Sequence, residues 1–81
     1  MHITLRFFAV AKTLVGVDQL DLIMIDGDTV ASVFALLREK YPAAAELFPC
    51  CAAAVNLNYV PRNTSLKDGD ELAIIPPVSG G

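Results

Sequence analysis

Eighty-one residues, 54% of them hydrophobic and 19% charged, describe one folded domain and exclude a disordered chain. The formal net charge is −3, and the six basic residues, Arg6, Lys12, Arg38, Lys40, Arg62 and Lys67, are scattered, which excludes a nucleic-acid-binding stripe. No apolar run approaches a membrane span and the N-terminus lacks a signal-peptide layout, so the expected location is the cytoplasm.

The first residues alternate. Ile3, Leu5 and Phe7 are predicted to face one way and Thr4, Arg6 and Phe8 the other, as in a half-buried strand over 3–8. Ala9 to Val15 is a short helical or irregular link closed by Gly16. A second strand is predicted over 19–25, with Leu20, Leu22 and Met24 inward and Ile23 and Ile25 outward. Asp26-Gly27-Asp28 makes a turn, and Asp28 or Thr29 caps the following helix. Val30, Val33, Phe34, Leu37 and Tyr41 form one apolar stripe on that helix, which Pro42 stops. Ala43 to Phe48 is predicted to add a short helical turn before Pro49.

Cys51 to Asn56 reads as a third strand, followed by a Leu57-Asn58 turn into a brief Tyr59-Val60 strand that Pro61 ends. Leu66 to Asp70 is a turn in which Gly69 is free to take positive φ and Asp68 and Asp70 serve the turn. Glu71 to Ile75 is the last strand, with Leu72 and Ile74 inward. Pro76-Pro77 then remove two backbone donors and end strand pairing. Val78-Ser79-Gly80-Gly81 add no bulk to a core, and without Cβ atoms the two glycines are suited to threading a narrow channel in another protein. Fully extended, residues 76–81 reach on the order of 20 Å.

The order strand, strand, helix, strand, short strand, strand predicts a single α+β domain over 1–81, a mixed sheet wrapped around one main helix. The first and last strands would lie parallel at its centre, with 75–81 leaving as an extended tail. The adjacent Cys50-Cys51 pair is poorly placed for a mutual disulfide and reads as small apolar filling. His2 is the one histidine and no metal-ligand spacing is present, so no metal site is expected.

Phe7-Phe8-Ala9, Gly16, Val55-Asn56, the run Leu66-Lys67-Asp68-Gly69-Asp70-Glu71 and the ending Pro76-Pro77-Val78-Ser79-Gly80-Gly81 closely resemble the ubiquitin-like β-grasp sulfur carriers of the MoaD/ThiS type, specifically the small subunits of molybdopterin synthases. The resemblance covers nearly the whole chain. Carriers of the thiamin pathway fit less well, being shorter and lacking Pro-Pro before the tail.

The resemblance implies that an E1-like adenylyltransferase uses ATP to adenylate Gly81 and that a sulfur donor protein converts the adenylate to a thiocarboxylate. The sulfur then passes to cyclic pyranopterin monophosphate to form the molybdopterin dithiolene. Residues 76–80 would insert with Gly81 into a large catalytic subunit, in a heterotetramer of two small and two large chains. No permanently bound cofactor is expected. A terminal carboxylate is ionised at pH 7 and resists nucleophiles, and this chain has no Gly-rich phosphate loop with which to activate itself. Strand alternation nominates Phe8 and Ile75 as an outward apolar patch beside the root of the tail, with Ile23 and Ile25 nearby and Lys12 at its rim. Two further readings start from the same features, a protein modifier forming isopeptide bonds through Gly81 and a plain β-grasp binding module.

Overall fold

The computed structural model describes residues 1–77; the expectations for Val78, Ser79, Gly80 and Gly81 lie outside the described residues. The elements are β1 (His2–Phe7), α1 (Ala9–Val15), β2 (Gln19–Ile23), α2 (Val30–Lys40), β3 (Ala52–Val55), β4 (Asn58–Val60) and β5 (Glu71–Ile75). The five strands form one mixed sheet in the order β2-β1-β5-β3-β4. β1 and β5 are parallel at its centre, with Leu5 opposite Leu72 and Phe7 opposite Ile74. This is the expected β-grasp: one sheet face carries α2 and the other faces solvent.

Alternation accounts for the core. Ile3, Leu5 and Phe7 from β1, and Leu72 and Ile74 from β5, are buried. They meet Val30, Val33, Phe34 and Leu37, the stripe of α2, in one cluster. Those four helical side chains contribute roughly 2 kcal/mol each by transfer from water. The helix begins at Thr29, whose hydroxyl accepts from the Ser32 N–H at 3.3 Å while the Ser32 hydroxyl accepts from the Thr29 N–H at 3.1 Å, a reciprocal cap. Asp28, the other candidate, closes the preceding turn by accepting from the Ile25 N–H at 3.0 Å. The next two helical N–H groups, of Val30 and Ala31, donate to the carbonyls of Thr64 and Arg62. Pro42 ends α2 as predicted.

Several boundaries differ from the sequence reading, each for a local reason. β1 stops at Phe7 because Ala9 takes φ 51° and turns the chain into α1. β2 stops at Ile23, although Met24 still points inward and its N–H donates to the Met1 carbonyl at 2.8 Å. In place of one helical turn between α2 and Pro49, two 3-10 turns form, Pro42–Ala44 and Phe48–Cys50; each has a proline in its first turn, where a missing donor costs nothing. The β3-β4 turn is Asn56-Leu57, one residue earlier than predicted, with φ of 49° and 73°. The pairing of Val55 with Asn58 requires a two-residue loop with both φ positive, so Leu57 accepts a conformation that aliphatic residues avoid.

Asp68 and Asp70 do more than hold their turn. Asp68 accepts from the His2 N–H at 2.7 Å, and Asp70 from the Lys67 N–H at 2.8 Å and the Asn56 side chain at 2.9 Å. Asn56 in turn accepts from the Glu71 N–H at 3.0 Å. The Asp-Gly-Asp-Glu segment therefore pins the start of β5 to the start of β1 and to the β3-β4 hairpin. Among the described residues no helix is long and apolar enough to cross a membrane.

Candidate functional site

The site is the end of the two central strands from which the chain continues toward Gly81. β5 is held on both sides, by β1 in parallel and by β3 antiparallel, with Ile75 opposite Ala52. Its direction is thus fixed by the best-paired part of the sheet. Beyond Ile75, Pro76 and Pro77 donate no backbone hydrogen bonds, so neither ladder continues. Pro76 is buried and Pro77 exposed. This corrects the expected start of the tail: Ile75 belongs to β5 and Pro76 to the body, so Pro77 is the first exposed residue of the segment that leads to the diglycine.

Phe8 and Ile75 each stand one residue beyond the last paired couple of the two central strands. Phe7 and Ile74 are opposite one another and buried, so the next residue on each strand lies on the outer face at the same level. Phe8 is 44% exposed, and Ile75 is half-buried. Lys12 lies one helical turn after Phe8, its N–H directed to the Phe8 carbonyl at 3.4 Å. It is exposed and has no acidic partner among the described residues.

Ile23 and Ile25 do not belong to this patch. The antiparallel pairing of β2 sets Ile23 opposite His2, at the far end of β1, roughly 20 Å from Phe8 at the rise of an extended strand. They remain strongly exposed, at 74% and 78%.

Strand order adds residues that the sequence reading missed. Ala54 lies opposite Ala73 on β5 and Tyr59 on β4, and Ala73 lies opposite Arg6 on β1. With Ala52 beside Ile75, these residues make the outer face a shallow floor of alanines bordered by Phe8, Ile75 and Tyr59, the last 73% exposed. Arg6 approaches Glu71 at 4.0 Å, both side chains substantially exposed, a contact worth little to stability. The signal was present as the run Ala52-Ala53-Ala54 in β3 and as Ala73 in β5, but it becomes a surface only once β3 is known to pair with β5.

Cys50 is exposed, Cys51 is buried, and both thiols are free. Cys51 fills the core as expected and directs its Sγ toward the Leu47 carbonyl at 3.4 Å. Burial pushes its thiol up, the Arg62 cation opposes the rise, and Cys50 adds to it. Arg62 braces this corner: its guanidinium stacks 3.8 Å from the centre of the Phe34 ring and donates to the carbonyls of Phe48 at 2.6 Å and Cys51 at 2.8 Å. A cleft of about 300 Å³ between α2 and this corner is lined by Phe34, Arg38, Phe48 and Arg62; none of the predicted site residues lines it. No cluster of three or more potential metal ligands exists among the described residues.

Comparison with known proteins places this geometry in context. The sequence profile described as the ThiS family matches residues 5–81. The molybdopterin synthase sulfur carrier subunit of Chlamydomonas reinhardtii is 37% identical over 83 residues, covering all of both chains. Among solved structures, a complex of subunits 1 and 2 of the molybdopterin-converting factor from Helicobacter pylori contains a chain 33% identical, matched over the full length of both, with a TM-score of 0.75. The small archaeal modifier protein 1 of Methanosarcina acetivorans is 28% identical, with a TM-score of 0.84 over 99% of this chain and 96% of that one.

Proposed function

The chain belongs to the ThiS family, and on that premise we propose that it is the sulfur carrier subunit of a molybdopterin synthase. One observation carries the reading: a relative of that name matches from end to end. The family match, which runs through Gly81, agrees with it. The geometry supports it. A rigid central strand delivers the chain at Pro77 beside an apolar, alanine-floored face, which is what a protein needs in order to dock on a partner and insert a narrow terminus into it.

In this reading Gly81 is a cosubstrate. Its carboxylate attacks the α-phosphate of ATP on an E1-like adenylyltransferase and releases pyrophosphate. The terminal sulfur of a persulfide on a sulfur donor protein then attacks the acyl carbon and displaces AMP, and a thiol attacks the donor-side sulfur of the resulting acyl disulfide, forming a new disulfide and releasing Gly81 as a thiocarboxylate. The large subunit receives residues 77–81 in its pocket and supplies the cationic groups that an anionic pyranopterin phosphate demands, a role for which a chain of net charge −3 is poorly suited. Phe8, Ile75 and Tyr59 form the docking face, with Lys12 at its rim, and the assembly is a heterotetramer of two small and two large chains. Pro76 sets the exit direction from within the body.

Intact-mass analysis tests the proposal. The chain is incubated with the activating enzyme, ATP and a sulfur donor. Replacement of one oxygen by one sulfur, absent when Gly81 is deleted, is the expected result. An unchanged mass, or a ladder of conjugates to lysines of other proteins, would favour a binding module or a modifier instead.

A further inference from the structure

β2 is one edge of the sheet, and it is an open edge. Its pairing with β1 alternates. Leu20 and Leu22 direct their backbone groups to Leu5 and Ile3, the Met24 N–H donates to the Met1 carbonyl, and the Phe7 N–H donates to the Asp18 carbonyl. Antiparallel geometry therefore turns the N–H and C=O groups of Gln19, Asp21 and Ile23 away from the sheet. These groups have no backbone or side-chain partner among the described residues.

The opposite edge is closed differently. β4 has three residues, is followed by Pro61, and turns only Tyr59 outward in this sense. Short length and proline are the usual ways of protecting an edge. β2 has neither. It has an exposed acidic residue at its centre, Asp21, with Asp18 and Asp26 at either end, and two isoleucines exposed at 74% and 78%, Ile23 and Ile25. Charge alone protects an edge; large exposed aliphatic side chains beside it work against that protection.

We propose that β2 is a second docking site, one that accepts an extended segment of a partner protein by strand addition, with a Lys or Arg in register with Asp21 and an aliphatic residue two positions away against Ile23. The inference is independent of the sulfur-carrier reading. The added strand would satisfy the three outward pairs of backbone groups, which supply affinity, while side chains on one face supply selectivity. The occupant is basic because every charged side chain along this edge is acidic; of the cations nearby, the N-terminal ammonium lies 3.8 Å from Asp26 and Arg6 is directed to Glu71, which leaves Asp21 with only the Thr4 hydroxyl at 3.3 Å. A second copy of the chain is a poor occupant. Symmetric antiparallel pairing about the centre of β2 sets Asp21 against Asp21, and like charges directly opposite are destabilising.

The test uses the full chain, ¹⁵N-labelled, and two acetylated, amidated probes, Thr-Val-Thr-Lys-Thr-Val-Thr and the same peptide with Glu in place of Lys. Amide exchange is followed by NMR. The Lys peptide should slow exchange at Gln19, Asp21 and Ile23, leave Leu20 and Leu22 unchanged, and bind on the order of fivefold more tightly than the Glu peptide, the ratio typical of a cross-strand charge pair. Asp21→Lys should invert that preference. Ile23→Pro should remove protection at Asp21 without unfolding the chain, because the lost N–H donates to nothing within the protein. Equal affinity for the two peptides, an unchanged preference in Asp21→Lys, or concentration-dependent protection of this edge with no peptide present would each overturn the proposal.

Discussion

Replacing Phe8 with serine separates folding from docking, because the two respond differently to the same change. Phe8 is the N-cap residue of α1, yet its side chain makes no capping hydrogen bond. Serine at that position provides an acceptor for the Val10 N–H, the Ala11 N–H already donating to the carbonyl of residue 8 at 3.1 Å, a cap worth about 1 kcal/mol. Against this stands the loss of apolar burial. The ring is 44% exposed, so rather more than half of the roughly 1.5–3 kcal/mol for a fully buried phenylalanine is at stake, about 1–1.5 kcal/mol. The two contributions nearly cancel, and the midpoint of thermal unfolding should stay within about 4–8 °C of the wild type. Binding carries no such compensation. If Phe8 anchors the docking face, its truncation costs about 2 kcal/mol, a loss of affinity for the large subunit of roughly thirtyfold by isothermal titration. A variant that unfolds far below the wild type, or one that binds the large subunit equally well, would refute the reasoning.

Other predictions follow from the supporting structure. Arg62→Ala removes two hydrogen bonds to carbonyls and the stack on Phe34; urea titration should show a loss of about 2–4 kcal/mol, and Arg62→Lys should recover only part of it because an ammonium lacks the planar fork. Leu57→Gly relieves a left-handed conformation at a side chain that is 92% exposed. It should stabilise the fold by about 0.5–1 kcal/mol after the entropy of glycine is subtracted from the relieved strain, and an unchanged or lower urea midpoint would contradict the assignment of strain to that residue. The raised thiol pKa of Cys51 also has a defined sign. Above the unfolded thiol pKa the unfolded chain has released a proton that the folded chain retains, so stability falls as pH rises through that window. Cys51→Ala should flatten this alkaline decline, while Cys50, being exposed, should react with iodoacetamide first.

Much of this molecule is legible in its sequence because its two periodicities are clear. Ile3-Leu5-Phe7 and Leu72-Ile74 alternate strictly, the Val30 to Leu37 stripe repeats as a helix should, and both patterns lead to the same core. What was not legible depends on partners distant in sequence. Ala54 and Ala73 are weak strand formers taken singly, and they become a floor only through the pairing of β3 with β5. The assignment of Ile23 to the tail's root failed for the same reason, since the register of β2 carries it to the opposite end of β1. The slip at Asn56-Leu57 has a local origin. Leucine is disfavoured at positive φ, so propensity points to the following asparagine, and the ladder between Val55 and Asn58 overrides it. Asp68 and Asp70 look like turn residues from their composition; their bonds to His2 and Asn56 span distances that no local pattern reports.

A single-turnover experiment tests directly whether Gly81 is the residue that carries the sulfur. The chain is prepared as its Gly81 thiocarboxylate with labelled sulfur and mixed with the large subunit and cyclic pyranopterin monophosphate, without ATP or activating enzyme. The label should leave the chain, with water restoring a carboxylate at Gly81, and appear in the dithiolene of molybdopterin at two thiocarboxylates consumed per dithiolene formed. Label retained on the chain while the large subunit remains competent with the carrier from another synthase would contradict that role.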